Sequence, residues 1–119
     1  MAMLLYVLAH STDDPDRAST ALAAAAGAAD DGHTVSLWLT DEGVRLGIEG
    51  VDTALERPEA RTPTRSLEIL RLRGATLYCS RPCLRRREFE AKALREGAVA
   101  ADPEDLARLV AEGWTPVPT

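Results

Sequence analysis

Four short apolar runs, each followed within a few residues by a helix start, constrain this chain more than anything else in it. Met3 to Ala9 is apolar without alternation, the pattern of a strand covered on both faces in a parallel sheet. After the polar loop His10–Asp13, Asp14 reads as an N-cap with Pro15 in the first helical position, and the helix runs through an alanine-dense stretch to a stop at Gly32. Ala21, Ala24, Ala25, Ala28 and Ala29 give it a small-residue face that suits packing on a sheet, with a membrane or partner helix as the alternative. Thr34–Thr40 alternates as a second strand, after which Asp41 can cap a short helix carrying Val44, Leu46 and Ile48. The stretch 50–64 has little periodicity and reads as a surface excursion, a lid or a subunit contact. Thr62-Pro63 then opens a helix with Leu67, Ile69, Leu70 and Leu72 turned inward, and Ala75–Cys79 is a third strand followed by a fresh helix. Ala98–Ala101 is a fourth strand and Asp102-Pro103 starts the last helix. Trp114–Val117 is a short terminal strand whose prolines, Pro116 and Pro118, confine it to an edge.

This alternation predicts a single three-layer α/β/α domain over residues 1–119, with a mainly parallel sheet of four or five strands in a flavodoxin-like layout. A length of 119 residues suits one core. The hydrophobic share of 45% and charged share of 28% are those of a globular protein, and a net charge of −5 gives no attraction to phosphate backbones, so nucleic acid is not an expected partner. The N-terminal apolar run has no basic lead and ends at His10, too short for a membrane span, so a cytoplasmic protein is expected.

In parallel α/β folds chemistry gathers at the carboxyl ends of the strands, which points to two loops, His10–Asp14 and Cys79–Cys83. In the second, Ser80 can cap and Pro82 suits the first turn, so Cys83 falls where unpaired N–H groups and the helix dipole favour a thiolate. Cys83 is therefore the candidate nucleophile. Arg87, one helical turn on, and Arg81 are expected to add positive charge near its sulfur. Cys79, at the end of a buried strand, is expected to be a packed thiol whose pKa burial raises. His10 is either a loop hydrogen-bonding residue or an acid–base group for Cys83, with no carboxylate orienter evident. Two cysteines and the distant His10 and His33 do not make a metal site, and the first loop has no glycine for a dinucleotide or phosphate, so no cofactor and no metal are expected.

The layout from residue 3 to about 117 resembles the DsrE/DsrF/TusD family of small sulfur-relay proteins. Leu4–His10 with Asp13-Asp14-Pro15-Asp16-Arg17-Ala18 is similar to the family's opening strand, acidic loop and helix, and Gly32–Val35 with Leu39–Val44 to its second strand and turn. Cys83-x-x-x-Arg87 matches the position where members carry a cysteine, three residues, an arginine and usually a glycine. Here Glu88 stands in the place of that glycine, and Cys79 and Cys83 are spaced one residue wider than in many relatives. The resemblance implies that Cys83 accepts sulfur as a persulfide from a donor protein and passes it to an acceptor, with Arg87 as its companion. It also implies a closed homo-oligomer, whether dimer, trimer or hexamer, with the alanine-rich helix and 50–64 as candidate contacts. Two other readings stand beside it: a non-catalytic scaffold or binding subunit, favoured if Cys83 is buried and reacts slowly, and a thiol–disulfide protein using Cys79 with Cys83.

Overall fold

The computed structural model describes residues 1–48, 62–90 and 92–119, so most of the 50–64 excursion lies outside the described residues, and its last part, 62–64, caps and begins a helix. The elements run β1 (Met3–Leu8), α1 (Pro15–Asp30), β2 (Thr34–Leu39), a 3₁₀ helix (Asp41–Gly47), α2 (Pro63–Leu72), β3 (Leu77–Ser80), α3 (Arg81–Arg86), β4 (Ala98–Ala101), α4 (Pro103–Ala111) and β5 (Thr115–Pro118). All five strands are parallel, in the order β4-β3-β2-β1-β5. The expected α/β/α domain with a parallel sheet is therefore the observed fold, and β5, with Pro116 and Pro118, is at an edge.

The helix starts follow the capping chemistry of the sequence. The Asp14 side chain accepts from the Arg17 N–H and the Thr62 hydroxyl from the Arg65 N–H, each one residue before the proline that opens its helix. Asp102 and Asp105 form a reciprocal capping box at α4.

Two cores sandwich the sheet. On one face α1, α2, α3 and the 3₁₀ helix bury Leu22, Leu70, Leu84 and Leu46 against Leu8, Leu37, Leu39 and Leu77. On the other, α4 covers the sheet with Leu106 and Leu109 packed about Leu5, Trp38 and Trp114, and the Trp38 ring stacks on Tyr78 at 6.1 Å. Because both faces are covered, β2 is buried at every position after Thr34, where the sequence alternation had predicted one wetter face.

The alanine face of α1 packs on the domain's own core as the sequence predicts, and two other details of the helix reading change. Ala18, Ala21, Ala25, Ala26 and Ala29 are buried inside this chain while Ala24 is exposed, so most of the small-residue face is spent on the domain's own core. Leu72 is exposed, because five residues beyond Leu67 lies about 140° around a helix from it. Thr40, rather than Asp41, is the residue that precedes the 3₁₀ helix, and Asp41 is its first residue with a left-handed φ of 48°. No described helix is long and apolar enough to cross a membrane.

Candidate functional site

Strand β3 delivers Ser80 to the carboxyl edge of the sheet, and α3 turns immediately so that Cys83 faces back toward the end of β2. Cys83 is 4% exposed. Its sulfur is met from across the molecule: the Asp41 N–H donates to Sγ at 3.2 Å and the Thr40 hydroxyl lies 3.5 Å away. Burial pushes the thiol up, but hydrogen bonds from Ser80, Thr40 and the Asp41 backbone outweigh it against the opposing Asp41 charge, so the thiol sits below its ordinary value. An acidified thiol at this position was expected; its cause is different. The sulfur's partners are two hydroxyls and a backbone N–H drawn largely from the β2 turn, not the arginines that the spacing suggested.

Those arginines are committed elsewhere. Arg81 pairs with Asp102 at 2.6 Å and reaches the Ala100 carbonyl, tying α3 to β4 and α4. Arg87 donates through Nε to Glu42 Oε2 at 2.5 Å and through a terminal nitrogen to the Cys83 backbone carbonyl at 3.1 Å. Arg87 is thus brought to Cys83, but to its main chain. Glu42 accepts on its other oxygen from Arg45 Nε at 2.7 Å, and the Arg45 guanidinium lies over the Phe89 ring, 5.0 Å from its centre. Hydrogen bonds from Arg87 and Arg45 hold the Glu42 carboxyl below the usual range, so it is ionised at neutral pH.

Cys79 is fully buried, and desolvation pushes its thiol up to about 12. A Cβ at Gly47 would collide with its sulfur, so the 3₁₀ helix closes directly over it. Both cysteines are free. His10 has the orienter that the sequence reading lacked: Nδ1 bonds Asp13 Oδ2 at 2.8 Å, and Arg17 lies 3.4 Å from Nε2. These partners belong to its own loop and α1, and among the described residues no hydrogen bond joins His10 to Cys83.

The loop that the sequence does not single out is therefore the one after β2. Thr40 and Asp41 are 43 and 42 positions from Cys83, and only the parallel register of β2 with β3, Leu39 opposite Cys79, makes them neighbours. The available signal was the Thr40–Val44 stretch itself, since it lies at the same carboxyl edge as the two loops already singled out.

The described residues form a parallel five-stranded α/β domain with a buried, hydrogen-bonded thiol at its carboxyl edge. The chain belongs to the DsrE/DsrF-like family, whose model matches residues 3–117. Among solved structures it is similar to the YchN protein from E. coli, with a TM-score of 0.82 and 17% identity over 100% of both chains, a likeness of fold. No curated protein matches significantly.

One backbone irregularity lies just past α3. Glu88 has φ 58°, the left-handed region that favours glycine. An L-residue there costs about 1–2 kcal/mol, and glycine's extra backbone entropy returns part of this. Glu88→Gly is therefore expected to stabilise the fold by roughly 0.5–1 kcal/mol, read as a higher denaturant midpoint at constant slope; an unchanged or lower midpoint would contradict it.

Proposed function

We propose that the chain is a sulfur carrier of the relay type, holding a persulfide on Cys83. The observation that carries this is the Asp41 N–H aimed at Sγ, with the Ser80 and Thr40 hydroxyls, which lowers the thiol in spite of its burial. The Cys83 thiolate attacks the outer sulfur of a donor persulfide, the donor thiolate leaves, and the outer sulfur with its proton stays on Cys83. No oxidant or cofactor enters that exchange. An acceptor thiolate then attacks that outer sulfur, Cys83 leaves as the thiolate that the same donors stabilise, and the acceptor keeps the sulfur with its proton.

A non-catalytic subunit is the second reading, and one observation favours it: Cys83 is only 4% exposed, so a partner reaches the sulfur only if the turn above it moves. The disulfide reading is weakened by Cys79, whose thiol, pushed up to about 12, is almost wholly protonated at neutral pH. Incubation with a low-molecular-weight persulfide followed by peptide mass mapping tests all three. Gain of one sulfur atom on the Cys83 peptide, lost in Cys83→Ser, is the expected result. Loss of two hydrogens across Cys79 and Cys83 would favour the disulfide, and no change would leave the scaffold reading.

A further inference from the structure

Among the described residues, Glu42 is the one carboxylate seen to join the turn over Cys83 to the segment that carries Cys83. It directly follows Asp41, the residue whose N–H meets the sulfur and whose φ of 48° is a conformation side-chain-bearing residues adopt with difficulty. Such a backbone persists only where its surroundings hold it, and both Glu42 oxygens are held: one by Arg45, further along the 3₁₀ helix and stacked on Phe89, the other by Arg87, which also grips the Cys83 carbonyl. Side chains of Glu42 and both arginines are only partly exposed, 28%, 34% and 21%, which shields the pairs from full solvent screening.

We propose that Glu42 is a positioning residue for Cys83: clamped between Arg45 and Arg87, it fixes the Asp41 N–H on the sulfur and keeps the Thr40–Glu42 turn closed over it. The inference rests on the sulfur-carrier reading for its purpose, since a carrier must shield a persulfide between donor and acceptor. Arg87 acts through the same clamp, as a tie between turn and helix rather than as a charge beside the thiol. A partner that competes for Arg87 or Arg45 with a carboxylate of its own would loosen the turn on docking and uncover the sulfur.

The test is the full pH profile of iodoacetamide labelling at Cys83, with Cys79 read in the same peptide map. Loosening the clamp has two separable effects. The midpoint moves up because the N–H donor is lost, and the plateau rate at high pH rises because the sulfur is uncovered. Glu42→Ala is expected to raise the midpoint by about half a unit or more and the plateau about threefold or more. The isosteric Glu42→Gln keeps one acceptor and is expected to fall between Glu42→Ala and the parent. A change that merely loosened the whole fold would expose Cys79 in step with Cys83, so parallel labelling of the two cysteines overturns the proposal. Parent-like profiles in both variants overturn it as well. Iodoacetamide needs no sulfur donor, so a shifted profile in a protein that never gains sulfur upholds the clamp and removes the carrier reading alone.

Discussion

Gly43→Ala is expected to destabilise the protein by about 3 kcal/mol, a large part of the roughly 5–15 kcal/mol that holds a domain of this kind together. A Cβ at position 43 would overlap the Leu8 carbonyl oxygen and lie 2.8 Å from its carbon. Both are backbone atoms at the end of a central strand, so no side chain can swing away. The same carbonyl accepts from the Thr40 N–H at 3.0 Å, and Gly43 in turn donates to the Thr40 carbonyl at 2.8 Å. A methyl group here must therefore either break the end of β1 or lift the turn that supplies the donors to Cys83. Chemical denaturation reads the first effect, and the labelling midpoint of Cys83, expected to rise, reads the second. Gly27→Ala is the matched control: it is a helix-interior glycine whose added Cβ meets nothing within 4 Å, so it is expected to gain about 0.5–1 kcal/mol. If both substitutions shift the midpoint equally, the close approach to Leu8 has no energetic weight.

In the folded protein iodoacetamide is expected to modify Cys83 with a preference over Cys79 of roughly 10³-fold or more. Burial pushes Cys79 up to about 12, while Cys83 lies below the ordinary thiol value of 9.0, so near neutral pH their thiolate fractions differ by about that factor or more. Linkage gives the same asymmetry a stability signature. The unfolded chain releases the Cys79 proton near about 8.5 while the folded chain keeps it to about 12, so the unfolded state binds fewer protons and stability falls as pH rises through that window. At pH 10 the loss from this thiol is about 2 kcal/mol. Cys83 has the opposite sign: its contribution is present above the free-thiol value and is lost as pH falls through its lowered folded value. Peptide mapping that finds Cys79 labelled as fast as Cys83, or an alkaline limb with no loss of stability, would contradict the assignment.

The architecture was legible because prolines punctuate it. Pro15, Pro63 and Pro103 open their helices and Pro82 is the second residue of its own, so every described α-helix carries a proline in its first turn, where the missing N–H costs nothing. The apolar runs between them read as parallel strands, buried in the centre of the sheet and partly exposed at the β4 edge. Cys83 was legible for a related reason, lying just past a strand and a capping serine. Its actual partners were not. A hydrogen bond between residues 42 positions apart leaves no local pattern, and the proximity of Thr40 and Asp41 to the sulfur follows from strand order, which alternation of elements does not specify. The arginine spacing misleads in the same way: a helical turn brings Arg87 close to Cys83, but its guanidinium is taken by the Glu42 carboxylate of the 3₁₀ helix rather than by the sulfur.

The two prolines of β5 decide more than its place in the sheet. Its register pairs Pro116 with Leu5 and Pro118 with Val7, and β1 is its only neighbour among the described residues. Along a strand the N–H groups alternate sides, so Thr115 and Val117 supply the donors that face β1, while both outward-facing positions lack a hydrogen to give. That border offers an incoming strand carbonyls alone, and half of a ladder cannot be built. The protein is thereby insulated on this flank against open-ended stacking of sheet upon sheet, and growth by strand addition is left to the opposite flank, at Ala98–Ala101.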